Sequence, residues 1–352
     1  MRKKGNYTLK FEVIETGDKW NKLVEKIRMN DVYYTYEYCN SSAQLHKGKA
    51  KLIYFETDLG IVIYPIISRE IDSTLELKVY DIITPYGYGG PLIMGSKEIL
   101  KDFRKVFCMY CKEESIVSEV ITFHPLLKNA SDMDGYCELQ YVRKTTAVNL
   151  ANDLGMIRAQ YTGMNKRNIK IARKNGLVCK EVEKNKRNIQ IFLKIYNETM
   201  DRQNATDFYY FPFEIIEKQL QDTPISKSHL LFVYYGDKVI SATILFTTTH
   251  FSHYHLGASH IDYLYLRPNN LIFDYMIKIS KTEGCTLLHL GGGYEDDDGL
   301  FKYKSSFTNN NMYDYYIGKN ILDSELYNLL VDEKKQDYIL KENYFPLYRS
   351  VN

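Results

Sequence analysis

The sequence predicts an α/β protein built from two similar units in tandem. Two pairs of β-rich segments lead to this prediction: KLIYFE with GIVIYPII, joined at Asp58, and LLFVYY with KVISATILF, joined at Asp237. Turns containing Asp and Gly between such runs are typical of β-hairpins. The turns are 237 − 58 = 179 positions apart in a chain of 352 residues. A spacing of half the chain indicates a duplicated unit.

The same order of elements follows each hairpin. A strand-like run leads to a break rich in Gly, Pro or Asn, then to a helix-like stretch and another buried strand. The helix-like stretch is Lys97–Cys111 in the first half and Leu271–Glu283 in the second. This repeated order supports the duplication, although the two halves share little sequence identity.

The boundary between the two domains is expected near Asn149–Ile157. Residues 1–150 would form the first domain and residues 151–318 the second. The C-terminal residues 319–352 contain an Asp at a position that suits a helix N-cap. We expect this segment to form a helix and tail that return to the first domain.

Composition and charge exclude several classes of protein. The net charge is +2, so the whole chain does not attract nucleic acid, and we expect no DNA partner. The N-terminal MRKKGNYTLKFEVIE has basic residues but no apolar run behind them, which argues against a signal peptide. No segment approaches the roughly 18 consecutive apolar residues of a membrane span. A cytoplasmic protein is the natural expectation.

No metal or other cofactor is expected. The six cysteines are scattered, and Cys108 with Cys111 forms one C-x-x-C without a second pair or a nearby His. A zinc site would need such partners. The eight histidines have no carboxylate at metal-ligand spacing. The cysteine pair is therefore expected to be reduced and to lie on a helix.

The motifs taken together resemble a known family. In order they are TPYGYGGPL, TFHPLLKN, YNETMDRQNATDFYYF, HYHLGAS, RPNNL and LHLGGG with DGLFKYKSSF. Their order and spacing resemble the tandem GNAT-like acyltransferases of the Fem type, which include peptidoglycan-bridge aminoacyltransferases. The resemblance covers nearly the whole chain, without the helical arm of some members. It implies two GNAT-like domains, each a mixed central sheet flanked by helices.

The stretch from Leu288 to Phe307 contains the candidate catalytic residue. It is not a Walker A loop, a dinucleotide fingerprint or a calcium loop, because each pattern is incomplete. We interpret it as a strand end, a glycine turn and an extended segment with Lys302 and Lys304 on one face. The resemblance implies that Lys304 steadies negative charge at the reacting carbonyl or a phosphate of the acceptor. The alternative is an exposed lysine before a core Phe.

The motif YNETMDRQNATDFYYF offers an arginine and two tyrosines. Arg202 suits a bidentate phosphate contact, and Tyr209 and Tyr210 can hold a sugar or base. The resemblance implies that they bind the nucleotide-linked acceptor. The alternative is a salt bridge at a helix end beside core aromatic residues.

Further binding candidates lie in glycine-rich and histidine-containing motifs. Tyr86 and Tyr88 flank glycines of a loop whose backbone N–H groups are able to face a ligand. His124 lies at the end of a strand, where α/β sites often form. His253 and His255 alternate along a strand, so both are able to line a cleft or to bond within the sheet.

A basic helical face follows the boundary. Lys166, Arg167, Lys170 and Arg173 recur at helical spacing, and such a face suits the phosphates of tRNA. A solvated surface is the alternative.

The missing pyrophosphate loop bears on the donor. GNAT enzymes that use acetyl-CoA carry [RQ]-x-x-G-x-[GA] at the strand-to-helix junction, where this chain has LYLRPNNLIFDY. This absence weakens an acyl-CoA donor in the second domain, and the Fem-type resemblance implies an aminoacyl-tRNA donor, which is therefore favoured.

These observations predict an acyltransferase that forms an amide on an amine of a cell-wall or surface-polysaccharide precursor. We expect that precursor to be a nucleotide-linked sugar or a peptidoglycan precursor. Two alternatives remain open: an acyl-CoA-dependent sugar N-acyltransferase, and a non-catalytic protein that binds nucleotide-sugars on a GNAT scaffold.

Overall fold

The computed structural model of the chain describes residues 9–350. Contacts group the chain into two compact units. Unit 1 comprises Met1–Arg28, Tyr38–Val142 and Tyr315–Asn352, and unit 2 comprises Met29–Glu37 and Arg143–Asp314. The first eight positions of the predicted first domain and the last two of the predicted C-terminal tail lie outside the described residues. The predicted domain boundaries stay a prediction.

The helices and strands alternate along the chain. The first half contains β1 (Lys10–Ile14), α1 (Gly17–Lys26), α2 (Tyr36–Leu45), β2 (Lys49–Thr57), β3 (Gly60–Glu70), β4 (Tyr80–Ile83), β5 (Leu92–Gly95), α3 (Ile99–Glu113), β6 (Ile116–Thr122) and β7 (Glu138–Asn149). The second half contains α4 (Leu154–Ala159), α5 (Gly163–Lys174), β8 (Val178–Val182), α6 (Lys186–Arg202), α7 (Phe213–Gln219), β9 (Ser226–Tyr235), β10 (Lys238–Thr248), β11 (Phe251–Ser259), α8 (Pro268–Thr282), β12 (Leu287–Gly291), α9 (Gly299–Ser305), β13 (Met312–Ile321) and α10 (Ser324–Asp337).

Unit 1 is built on a mixed sheet with the strand order β1-β2-β3-β4-β6-β13. Strands β4 and β6 are parallel, and the other neighbours in this order are antiparallel. The predicted first hairpin is confirmed, since Thr57 pairs with Gly60 across a two-residue turn. Helix α3 packs on the sheet through Phe103 and Phe107, whose rings lie 5.8 Å from Phe55 and 5.7 Å from Tyr64.

The C-terminal helix α10 packs within unit 1. Asp323 caps it by accepting a hydrogen bond from the N–H of Leu326 at 3.0 Å, as the sequence predicts. Leu330 lies in one buried apolar cluster with Val79 and Val117, close to the strands β4 and β6. The expected return of this helix to the first half of the chain is therefore confirmed.

The strands of unit 2 follow the order β7-β12-β11-β10-β9-β8 in a mixed arrangement. Strands β11 and β12 are parallel, and the other neighbours are antiparallel. The second predicted hairpin is confirmed, because Tyr235 pairs with Lys238 across Gly236 and Asp237. Helices α5 and α8 bury Ile169 and Met276 in one core cluster with strand residues of β9, β10 and β12. The predicted α/β class is correct for both units.

Candidate functional site

The two parallel strands of unit 2 diverge after a short paired segment. Strand β11 pairs with β12 only from Phe251 to His253, although β11 continues to Ser259. Strand β12 shifts its register against β7 after His289 and ends at Gly291. The β12 ladder therefore does not extend along the later half of β11.

A β-bulge accompanies this divergence. Leu256 pairs with Ile244 and Tyr254 pairs with Leu245, so His255 is the extra residue of β11. Its Nε2 lies 3.1 Å from Oε1 of Gln219. Burial, together with the nearby His253, lowers the pKa of His255 to about 3. The ring is therefore neutral near pH 7 and is hydrogen-bonded to helix α7 of unit 2.

Lys304 lies where β11 and β12 diverge. Its Nζ donates a hydrogen bond to the carbonyl of Gly292, just past the end of β12, at 2.7 Å. The same atom is 5.5 Å from the ring centroid of Tyr254, the first residue of β11 beyond the paired segment. Only 7% of Lys304 is exposed. Burial lowers its pKa to about 8, against the opposing charge of Asp298, so the ammonium is still mostly protonated at pH 7 but holds its proton weakly.

Tyr254 forms a fixed wall beside this ammonium. Its hydroxyl lies over Gly257, where an added Cβ would be 2.2 Å from the Tyr254 Oη. A side chain at position 257 would therefore displace the ring, which explains a glycine inside this strand. Burial raises the pKa of Tyr254 to about 12, so the phenol stays neutral.

The segment that carries Lys304 is a helix, and the extended stretch that we predicted from alternation is wrong. Asp298 is the N-cap of α9 and accepts hydrogen bonds from the N–H groups of Phe301 at 2.7 Å and Tyr294 at 2.6 Å. An Asp N-cap followed by good helix formers outweighs the alternation of charged and aromatic residues. In a helix Lys302 and Lys304 are separated by about 200° around the axis, so Lys304 is buried and Lys302 is exposed.

The glycine turn packs tightly against the start of the unit 2 part of β7. A Cβ on Gly292 would lie 2.7 Å from the carbonyl oxygen of Lys144, and a Cβ on Gly293 would overlap the carboxylate of Asp298. Arg143 Nη1 donates to the carbonyl of Gly293 at 2.9 Å. The three glycines of the motif thus permit close approach of backbone and cap. They do not form a phosphate loop with a following lysine.

The end of α6 presents the predicted acceptor residues. Arg202 Nη1 donates to the carbonyl of Ser259, at the carboxyl end of β11, over 3.4 Å. Arg202 makes no ion pair within residues 9–350, so the salt bridge considered as an alternative is absent there. Tyr210 donates to Asp201 at 2.8 Å, and 41% of Tyr209 is exposed. The guanidinium and one phenol are therefore accessible from solvent.

A buried Asp–His pair in unit 2 was missed by the sequence analysis. Asp31 Oδ2 lies 2.8 Å from Nε2 of His253, and both side chains are almost completely buried. The rings of Tyr33 and His289 lie 4.9 Å and 5.6 Å from the His253 ring. His253 and His289 are the last paired positions before β11 and β12 diverge. Asp31 is 222 positions away in the chain, and nothing in the sequence around it links it to β11.

The residues of unit 1 that the sequence predicts as binding residues lie close to one another. The rings of Tyr88 and His124 have centroids 5.6 Å apart. The N–H of Tyr86 donates to Ser42 Oγ at 2.6 Å. Asn129 fastens the loop, because its Nδ2 donates to the carbonyl of Gly89 at 2.8 Å while its Oδ1 accepts from the N–H of His124 at 2.9 Å. His124 is fully buried.

The basic residues of α5 divide into two groups. Arg167 and Lys170 are exposed. Lys166 donates to the carbonyl of Ala159 at 2.7 Å, and Arg173 pairs with the buried Asp274 at 2.8 Å. Part of the predicted basic face is thus used inside unit 2, and the rest remains available to solvent.

The start of α8 is the position at which an acetyl-CoA-dependent GNAT enzyme has its pyrophosphate loop. Here it carries Arg267, Asn269 and Asn270. Arg267 precedes the helix with a left-handed φ of 65°. Asn269 Oδ1 accepts a hydrogen bond from Ser259 Oγ at 2.5 Å. Asn270 Nδ2 donates to Asn165 Oδ1 at 2.9 Å. These side chains bind other parts of unit 2.

Comparison with known families agrees with this geometry. Residues 163–305, which include β11, β12 and Lys304, match the family model described as "Acetyltransferase (GNAT) domain". The chain has a tandem GNAT-like fold. The crystal structure of FemX covers 90% of this chain and 99% of its own, with a TM-score of 0.68 and 14% identity. The resemblance to Fem-type tandem GNAT-like proteins is therefore confirmed at the level of the fold.

Two further structures share the GNAT-like fold. The C-terminal domain of a putative lysylphosphatidylglycerol synthetase from Agrobacterium fabrum covers 91% of this chain and 97% of its own, at a TM-score of 0.55 and 13% identity. L-PGS from Bacillus licheniformis covers 86% of this chain and 91% of its own, at a TM-score of 0.54 and 11% identity. Comparison with curated proteins finds no significant match. The GNAT family match supports the prediction that the protein is an acyltransferase.

Within the described part of the chain, no helix combines the length and the apolar character needed to cross a bilayer.

Proposed function

We propose that unit 2 transfers an acyl or aminoacyl group to an amine, and that Lys304 stabilises the oxyanion of the reaction. The observation that carries this proposal is the buried Lys304 ammonium at the divergence of β11 and β12, 2.7 Å from the Gly292 carbonyl. A cation in a water-poor site interacts with developing negative charge far more strongly than it would in water.

The reaction begins with attack of a neutral amine on the donor carbonyl carbon. The carbonyl π electrons move to oxygen, and the resulting oxyanion accepts a hydrogen bond from the Lys304 ammonium. Collapse of the tetrahedral intermediate breaks the bond to the leaving group, and the proton lost by the amine leaves with that group or to solvent. One such donor is worth roughly 3–4 kcal/mol of barrier, and positioning of the amine supplies much of the remainder.

An aminoacyl-tRNA is the donor that we favour. The Fem-type resemblance implies this donor, and the exposed Arg167 and Lys170 of α5 are suited to RNA phosphates. The side chains of Asn269 and Asn270 are engaged inside unit 2, and this junction lacks the glycine-rich loop whose backbone N–H groups bind a pyrophosphate. Lys166 and Arg173 of α5 add positive charge beside Arg167 and Lys170.

The acceptor that we propose is an amine on a nucleotide-linked sugar or peptidoglycan precursor in the cytoplasm. Arg202 contacts the carboxyl end of β11 at Ser259, five residues beyond Tyr254. Five residues of strand span about 16 Å, so an acceptor with a phosphate at Arg202 and its amine near Lys304 must be extended. Tyr209 and Tyr210 are the proposed contacts for its sugar or base.

The loop of unit 1 is the remaining candidate for substrate contact. Tyr86, Tyr88 and His124 are held in one arrangement by Asn129. We propose that this loop contributes to substrate binding by unit 1. The N–H of Leu127 donates to His124 Nδ1 at 3.3 Å, so that nitrogen is an acceptor.

An acyl-CoA-dependent sugar N-acyltransferase is the second candidate. The family description of residues 163–305 as an acetyltransferase domain favours it. Calorimetric titration of the purified chain with acetyl-CoA separates the two donors. Micromolar binding that persists at moderate salt would refute the tRNA proposal, and absence of binding would favour it.

Transfer itself is tested with two donors and one acceptor. Bulk tRNA charged with radiolabelled amino acids, or acetyl-CoA, is incubated with a UDP-linked peptidoglycan precursor that carries a free amine. We expect Lys304→Met to lower kcat/KM at least 100-fold. Binding of the precursor without any transfer would instead identify a non-catalytic nucleotide-sugar binding protein.

The pH profile distinguishes an oxyanion partner from a general base. If the Lys304 cation is required, kcat/KM falls as the pH rises through about 8. Lys304→Arg retains its charge to a far higher pH, so the falling limb should disappear in that variant. A rate that rises through the same pH in a Lys304-dependent way would overturn the oxyanion role. Lys278→Met is the matched control, because Lys278 also lies over a tyrosine ring but is exposed.

A further inference from the structure

A cavity in unit 2 lies on the exposed side of α9. Its volume is about 350 Å³, at the lower end of the roughly 300–1,000 Å³ that is typical of small-molecule sites. Eight of the ten residues that line it are polar or charged: Gln160, Thr162, Asp297, Lys302, Ser305, Ser306, Asn309 and Asn310, beside Phe301 and Met312. Lys304 does not line this cavity, so the proposed transfer site does not account for it.

The cavity contains two opposite charges that are not used elsewhere. Asp297 and Lys302 both line it, and neither makes an ion pair with any residue between positions 9 and 350. Asp297, which supplies the carboxylate, belongs to the sequence motif EDDDG. The capping role of its neighbour Asp298 does not explain the presence of Asp297. A ligand that fits must therefore satisfy an ammonium and a carboxylate at the same time.

The hydrogen-bonding capacity of the cavity is also unfilled. The Oγ of Ser305 is buried and has no hydrogen-bond partner within the described residues. A buried hydroxyl without a partner is costly, and the cost is removed when a ligand bonds to it. The amides of Gln160, Asn309 and Asn310 add donors and acceptors on the same lining.

The lining favours a small zwitterion over a sugar. Sugar sites commonly offer an aromatic face, but Phe301 is only 2% exposed and presents almost no ring surface. Thr162 is the N-cap of α5, so the positive end of that helix dipole adds to the field of Lys302 and favours an anion nearby. Asp297 provides the opposite charge.

We propose that this cavity binds the zwitterion of an α-amino acid, with Lys302 contacting its carboxylate and Asp297 contacting its ammonium. Ser305 and the amides of Asn309 and Asn310 complete the hydrogen bonds. The inference rests on this cavity alone and does not depend on the transfer reaction. It gives Lys302 a role separate from that of Lys304, on the opposite face of the same helix.

Binding is measured by isothermal titration calorimetry of the full chain with glycine, L-alanine, L-serine and L-lysine, without donor or acceptor. We expect at least one of them to bind. Lys302→Met and Asp297→Asn should each weaken that binding about tenfold or more, because each removes a charged hydrogen-bond partner. The exposed Lys278→Met is the matched control and should leave binding unchanged.

Capped derivatives assign each charge to its partner. The amide of the bound amino acid lacks the carboxylate, so its affinity should be the same for the natural chain and Lys302→Met. The N-acetyl derivative lacks the ammonium, so its affinity should be the same for the natural chain and Asp297→Asn. Because both substituted residues are on the surface of the cavity, circular dichroism is expected to show folded variants.

Two results would overturn the proposal. One is the absence of heat for all four amino acids up to tens of millimolar. The other is binding that is insensitive to both substitutions or equally strong for both capped derivatives. Either result leaves the transfer proposal untouched, since that proposal is tested by activity and by Lys304 variants.

Discussion

Replacing Lys304 with Met should make the protein more stable while abolishing the proposed activity. Burial lowers the Lys304 pKa from 10.5 to about 8, which at 1.36 kcal/mol per pH unit means that protonation costs the folded state about 3 kcal/mol at pH 7. Loss of the hydrogen bond to Gly292 returns about 1 kcal/mol. The net expectation is a free energy of unfolding higher by about 2 kcal/mol, because Met fits the apolar stem.

The sign of the pH dependence follows from the same lysine. Between pH 8 and 10.5 the unfolded chain binds its proton more tightly than the folded chain does, so the stability of the natural protein rises with pH in that window. The Met variant lacks this rise, and its advantage should shrink as the pH approaches 10.5.

Urea unfolding at pH 7 and pH 9.5, followed by far-ultraviolet circular dichroism, measures both effects. Lys278→Met is the control and should change the free energy of unfolding by no more than about 0.5 kcal/mol, as expected for an exposed lysine. A Lys304→Met variant that is less stable than the natural chain at pH 7, or a difference that does not change with pH, would refute the account of a strained buried cation.

Three further substitutions test other parts of the structure. Asp298→Ala removes the N-cap of α9 and should cost about 1 kcal/mol in urea unfolding; no change would mean that the cap is dispensable. Asp31→Ala deprives His253 of its buried carboxylate and should cost about 1–3 kcal/mol, whereas a neutral result would contradict a structural role for the pair. Asn129→Ala frees the carbonyl of Gly89, so limited proteolysis should cleave the unit 1 loop faster than in the natural chain, and an unchanged rate would count against the tether.

The local elements of the fold were predictable because their signals lie within a few residues. Both hairpins follow from Asp–Gly turns between apolar runs, and the helix at the C-terminus follows from Asp323 as its cap. Each of these depends on backbone preferences that a short window of sequence contains.

The site was predictable only in part. The resemblance implied a role for Lys304, but the alternation of charged and aromatic residues suggested an extended segment and outweighed the cap signal of Asp298. Asp31 is beyond any sequence signal, since its partner His253 lies 222 positions away. The bulge at His255 depends on how β10 and β11 align, and the residues of one strand do not determine that alignment.

The carbonyl that holds Lys304 has a consequence for turnover. The ammonium is bound by a neutral oxygen and by no carboxylate within residues 9–350. A catalyst whose cation was locked in a salt bridge would have to break that bridge in every cycle before the cation met the substrate. Here the partner is a dipole of modest strength, so an oxyanion competes with it readily. In the proposed reaction, the lysine returns to the same carbonyl once the neutral amide has formed, so Lys304 itself forms no ion pair with the product.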